Sequence, residues 1–174
     1  MIHERIACVC TLICVVLSLP VACSNQAIRG RQEATDFQSK NVVVSKLAGS
    51  EVDQLPTIFR LPEHSCLINN GDAMCSINPN QPIRWGWGFC RHDRETLSTD
   101  MPRTQVDLFV EQIRVPDALV YQRDETYNRE RFGYCHTWLI KLSDWKRGTT
   151  IRLQSKFKTA DGASEHSVIM NVWK

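Results

Sequence analysis

The stretch IRWGWGFC, residues 83–90, alternates large apolar side chains with small or polar ones. Ile83, Trp85, Trp87 and Phe89 fall on one side of an extended chain, and Arg84, Gly86, Gly88 and Cys90 on the other. A period of two marks a strand with one buried face, because successive Cβ atoms point to opposite sides of a sheet. The fold turns on whether the neighbouring segments supply partners of the same kind.

Downstream they do. RHDRETLSTDMPRT (91–104) is too polar for a strand, and Asp93 is placed to cap a short helix that ends before Pro102. QVDLFVEQIRV (105–115) returns to strand, and ALVYQ (118–122) reads as the second arm of a hairpin about Pro116 and Asp117. RDETYNRER (123–131) carries charges of both signs and reads as a solvated loop. YCHTWLIKL (134–142) sets Tyr134, His136, Trp138 and Ile140 against Cys135, Thr137 and Leu139. TTIRLQSKFK (149–158) sets Ile151, Leu153, Ser155 and Phe157 against a basic, solvent-facing row of Arg152, Gln154, Lys156 and Lys158. SDWKRG (143–148) joins these two strands, and ADGAS (160–164) turns the chain into a last strand, SVIMNVW (167–173).

Upstream, NVVVSKL (41–47) and PTIFRL (56–61) read as early strands, the second at an edge because of its flanking prolines. In SCLINNGDAMCSI (65–77), Asn70-Gly71 is the strongest two-residue hairpin signal, since both turn positions require positive φ. A turn there opposes 69 to 72, 68 to 73 and 67 to 74, and brings Cys66 opposite Cys75. Seven or eight short strands divided by Gly, Asn, Asp and Pro turns predict an all-β fold, an antiparallel sandwich over residues 41–174.

The first residues differ in kind. MIHER precedes IACVCTLICVVLSL, fourteen residues without a charge, and then Pro20, Val21 and Ala22. A short positive segment, an apolar segment and small residues, in that order, read as a signal peptide over 1–22. The apolar run is too short for a spanning helix, which needs about 20 residues. PVAC (20–23) resembles the lipobox of bacterial lipoproteins, which implies lipid attachment at Cys23 and a membrane partner through that anchor. Pro20 stands where that pattern usually has leucine, so cleavage after Ala22 or Ser24 to a plainly secreted chain stays open. Residues 23–40, largely SNQAIRGRQEATDFQSK, are polar and aperiodic and read as a flexible tether.

Of eight cysteines, Cys8, Cys10 and Cys14 lie in the signal. Cys66, Cys75, Cys90 and Cys135 remain in the domain, and four cysteines in an exported chain imply two disulfides. The hairpin register favours Cys66 with Cys75, leaving Cys90 with Cys135. No two of the four have the two-to-four-residue separation of structural zinc sites, which argues against a metal. A competing pairing follows from the order Cys75, Trp87, Cys135, which echoes immunoglobulin domains, although Gly133 stands where their tyrosine is expected. Over roughly residues 60–174, with RWGWGFC, YCHTW and LSDWKRGTTIRL as the carrying segments, the chain resembles immunoglobulin-like or fibronectin-like sandwiches of exported bacterial proteins. That resemblance implies a fold and no particular activity.

Formal net charge is +2, and removing residues 1–22 takes Glu4 and Arg5 together, so the basic footprint of a nucleic-acid binder is missing. The chain contains no GxSxG, HExxH, Gly-rich phosphate loop or EF-hand pattern. His64, His92, His136 and His166 are scattered; His92 and His136 follow Cys90 and Cys135 closely, so a 90–135 bridge would draw them together. Asp93, Glu95, Asp124, Glu125 and Glu130 are numerous but unplaced, and Asn69, Asn70 and Asp72 are explained by the hairpin turn without calcium. Of the five tryptophans, Trp85, Trp87 and Trp138 have core parity, and Trp145, in a turn, is the candidate for an exposed contact. The expected function is a non-enzymatic, surface-tethered binding module of the cell envelope, taking a protein or glycan, with no cofactor. An exported hydrolase of polysaccharide or peptide and a structural envelope protein are the alternatives.

Overall fold

A computed structural model describes residues 36–58, 66–69, 72–126 and 133–174. Cys23, His64, Asn70, Gly71 and Glu130 lie outside those residues, as does the expected signal, and with them the expectations made there. The described strands are β1 (Asp36–Gln38), β2 (Val43–Ser45), β3 (Cys66–Asn69), β4 (Asp72–Ile77), β5 (Ile83–Arg91), β6 (Gln105–Val110), β7 (Ile113–Arg114), β8 (Tyr121–Thr126), β9 (Tyr134–Ser143), β10 (Thr150–Thr159) and β11 (Gly162–Val172). They form two sheets packed as a β-sandwich.

In the first sheet β9 is central. β5 lies antiparallel along one edge, with Trp85 opposite Ile140 and Trp87 opposite Trp138. The other edge is shared: β8 pairs with Tyr134 to Leu139, and β2 with Lys141 to Ser143, carrying β1 outside it. The second sheet runs β3-β4-β11-β10-β6-β7, and all its pairings are antiparallel except β4 with β11. The alternation in IRWGWGFC does what its period requires. Ile83, Trp85 and Phe89 are buried, together with Trp138, Ile140 and Leu142 of β9, against Ile77, Val110, Ile151, Leu153, Val168 and Met170 of the second sheet. Trp87 is half-buried and stacks on Phe157 at 4.7 Å and His166 at 4.5 Å, joining the two inner faces.

The hairpin register is the expected one, with Cys66 opposite Cys75 and Asn69 opposite Asp72. Cys66 is bonded to Cys75 and Cys90 to Cys135. Cys90 and Cys135 are direct neighbours on β5 and β9, so the second bond staples two strands of one sheet and the Cys75–Cys135 alternative is not realised. Two disulfides mark an oxidising compartment outside the cytoplasm. No helix among the described residues is long and apolar enough to cross a membrane.

The helix α1 (Arg94–Asp100) has Asp93 as its cap, accepting from the Thr96 N–H at 2.7 Å, and stops before Pro102. Other expectations are corrected. Residues 105–115 are two strands, because Glu111 and Gln112 adopt φ of 51° and 70° and turn the chain between Val110 and Ile113. The charged segment 123–131 is not all loop, since Arg123 to Thr126 belong to β8 and pair with β9. Asp36 to Gln38, within the expected tether, form β1 against β2. Of the expected strand 56–61, residues 59–61 lie outside the described residues, and among 56–58 Thr57 makes an isolated parallel bridge to Arg84. At 36–38 and 123–126 the strand arises from pairing with a neighbouring segment, Asp36 opposite Ser45 and Thr126 opposite Tyr134, and polar composition does not register it.

Candidate functional site

On the outer face of the first sheet, opposite the core, β5 presents two glycines in succession. At Gly86 a Cβ would lie 1.8 Å from the Trp138 carbonyl oxygen, so the close approach of β5 to β9 excludes any side chain. At Gly88 the added atom would meet Thr137 Cγ2 at 3.3 Å, tight but not against backbone. The result is a floor without side chains on β5, bounded by Arg84 and Cys90 at its ends and by Thr137 and Leu139 of β9 beside it. Glycine within a strand opens a place where another group can come near the backbone.

Two walls rise from this floor. One is the segment 48–58, held to the edge of β5 by the Arg84 N–H donating to the Pro56 carbonyl at 3.0 Å. Its base is pinned by Glu51, which accepts from Lys141 Nζ at 2.5 Å and from the Ala48 N–H at 3.0 Å. The other wall is β8. Arg123 bridges the two: Nη2 donates to Asp53 Oδ1 at 2.8 Å, and Nε to Glu125 Oε1 at 2.5 Å. Beneath it, buried Thr137 donates from Oγ1 to the Arg123 carbonyl at 3.2 Å. The open cleft between the two walls measures about 610 Å³, within the usual range for small-ligand sites, roughly 300–1,000 Å³.

Charge in the cavity is balanced but unevenly engaged. The hydrogen bond that Arg123 donates to Asp53 holds Asp53 below the ordinary aspartate value and raises Arg123 above its own. Asp53 is therefore ionised at neutral pH and serves as the partner of Arg123. Arg84 is different. Its Nε is buried and has no hydrogen-bond partner among the described residues. An unmet guanidinium N–H of this kind costs about 1–3 kcal/mol.

The expected site residues are distributed otherwise. Trp145 is 4% exposed, and its Nε1 donates to the Gln81 carbonyl at 2.9 Å. That corrects the expectation of an exposed contact: the turn folds the indole back over the core. Of the five tryptophans it is Trp173, 55% exposed, that faces outward. His136 faces the inner side opposite Phe89, and its partners are Asp124 through Nδ1 at 2.7 Å and Gln122 through Nε2 at 3.2 Å. His92 is exposed, and its backbone packs on Gly133 beyond the end of the β5–β9 pairing. The Cys90–Cys135 bond thus does not join the two histidines into one site, and the described residues hold no group of three or more His, Cys, Asp or Glu able to bind a metal. Sequence reasoning missed Arg84, Asp53 and Arg123; only the glycines opposite them, Gly86 and Gly88, signalled a bare sheet face. The chain matches no known protein family and no curated protein.

Proposed function

We propose that the protein is a non-enzymatic binding module of the bacterial cell envelope, lipid-anchored at Cys23, which takes a segment of glycan or protein on the Gly86–Gly88 face. The observation that carries this reading is the buried, unpartnered Nε of Arg84 in the wall of a cavity of about 610 Å³. The ligand it fits is rich in oxygen acceptors, since a guanidinium offers donors in a fixed plane and no acceptor. Export is supported by the two disulfides and by the signal-like first residues.

The immunoglobulin-like type is part of the same proposal, and strand order supports it. Read as B, C, C′, D, E, F and G, strands β5 to β11 give B-E-D in one sheet and C′-C-F-G in the other. The departure is the disulfide, which joins β5 to β9 where immunoglobulin domains join B to F.

The test is a binding survey of the exported protein against envelope polysaccharides and co-purifying envelope proteins, with Arg84→Gln and Gly88→Leu alongside. The reading expects one ligand class whose affinity falls at least tenfold in both variants while thermal stability is kept. Binding unaffected by either substitution would sink the assignment of the site.

A further inference from the structure

The loops at one end of the sandwich form a surface of a different character. Residues 144–149, which link β9 to β10, lie there beside the turn 39–42 and the residues after β11. The Lys146 N–H donates to the Asn41 carbonyl at 2.8 Å, and the Gly148 N–H to the Trp173 carbonyl at 3.1 Å. The Lys174 side chain passes over Gly148, with Cγ 3.7 Å from where a Cβ would stand. These bonds gather Lys40, Lys146, Arg147 and Lys174, all exposed, around Trp173, itself 55% exposed. None of the four cations pairs with a carboxylate among the described residues. The acids nearby, Glu111 and Asp144, are held by the Asn41 amide and Ser143 Oγ and keep their charge, so four cations stand against two carboxylates at this end. At the opposite end charge is self-cancelled, with Arg91 bound to Asp100 at 2.7 Å and Asp161 at 2.6 Å.

We propose that this end docks on an anionic lipid surface, with Trp173 in the headgroup layer and Lys40, Lys146, Arg147 and Lys174 against the lipid phosphates. Tryptophan is the side chain most at home where an apolar body meets a wet boundary, and clustered cations are drawn to anionic leaflets. Chain entry fits the same orientation. The described chain starts at Asp36, three residues before the turn 39–42, and only residues 24–35 separate it from Cys23. Thirteen residue steps span at most about 45 Å, so an anchor at Cys23 would keep this end near the bilayer. Docking end-on leaves the Gly86–Gly88 face open to the side. The chemistry of the patch stands without the anchor, and it goes beyond the ligand site of the preceding section.

The experiment uses the exported chain carrying Cys23→Ser, so that no acyl group contributes, and measures sedimentation with phosphatidylglycerol and with phosphatidylcholine vesicles. Binding to the anionic vesicles alone, weakened by salt, is expected. Lys146→Ala with Arg147→Ala should weaken it about 25-fold, at about fivefold per cation. A blue shift of indole emission on binding should vanish in Trp173→Phe. Equal binding to both lipids, no binding, or indifference to these substitutions would overturn the proposal. Retention on an anionic polysaccharide without vesicle binding would overturn it too, and assign the patch to a glycan. An intact mass showing no acyl chain on the wild-type protein bears on the anchor alone and leaves this test standing.

Discussion

Gly86 and the pair Trp145 and Trp173 show how much one position can mean that its residue type does not announce. Gly86 is a steric requirement: backbone atoms of Trp138 fill the space a side chain would need, and backbone cannot step aside. Trp145 and Trp173 are both tryptophans near loops at one end of the sandwich, yet one is core and the other surface. Trp145→Ala is expected to cost about 3–5 kcal/mol, as removal of a large buried aromatic does, while Trp173→Ala should change stability by no more than about 0.5 kcal/mol. Urea denaturation of the two variants checks this, and equal losses would contradict the burial assigned here. Both outcomes rest on where each indole lies, which no local property of SDWKRG or SVIMNVW discloses.

Among the elements, β6 and β7 carry a local conflict. Gln112 holds φ of 70°, a conformation that costs an L residue with a Cβ about 1–2 kcal/mol, and the turn is kept by the Glu111 N–H donating to the Arg152 carbonyl. Gln112→Gly should raise stability by up to about 1 kcal/mol, read as a higher denaturation midpoint at unchanged slope. A lower midpoint would show that the Gln112 side chain contributes more than its backbone costs. The segment 48–58 depends on pH in a defined direction. Hydrogen bonds from Lys141 and from the Ala48 N–H hold the Glu51 carboxyl below its ordinary value. A depressed acid contributes stability above its unfolded value and loses it as pH falls through the folded one, so this wall should loosen as pH falls below about 4.5. Glu51→Gln should flatten that part of the acid limb, followed by amide exchange of residues 48–55; an unchanged profile would remove the ion pair from the account.

At the scale of the whole molecule, two sheets enclose a single core and the disulfides staple strands already paired. By loop entropy, the Cys90–Cys135 bond, with a sequence separation of 45, should contribute about 4 kcal/mol, and the Cys66–Cys75 bond, with a separation of 9, about 2.6 kcal/mol. Serine pairs at each site, compared by thermal melting, should rank in that order. Intact mass, reduced and non-reduced, reads both bonds and any acyl group at Cys23 together. What the sequence alone determined is local or of short range. Alternation in 83–90 and 134–142 set which residues face the core, because the two-residue period is a property of the extended backbone itself. The Cys66/Cys75 register was legible as well, since Asn69 stands opposite Asp72 as a hairpin signal at 70–71 leads one to expect. Asp93 set the start of the helix by its own hydrogen bonds. Tertiary structure alone decided the rest: that the strand begun at 121 runs on to 126 and pairs with β9, not with 105–115 as a hairpin, that Trp145 is buried, and that Asp53, Arg84 and Arg123 line one cleft over two glycines. Arg123 and Asp53 are 70 residues apart in the chain, and nothing in either neighbourhood encodes the other. Their meeting follows from packing β8 and the 48–58 segment about one sheet, a consequence of the global arrangement that burial and hydrogen bonding select only when the whole chain is folded.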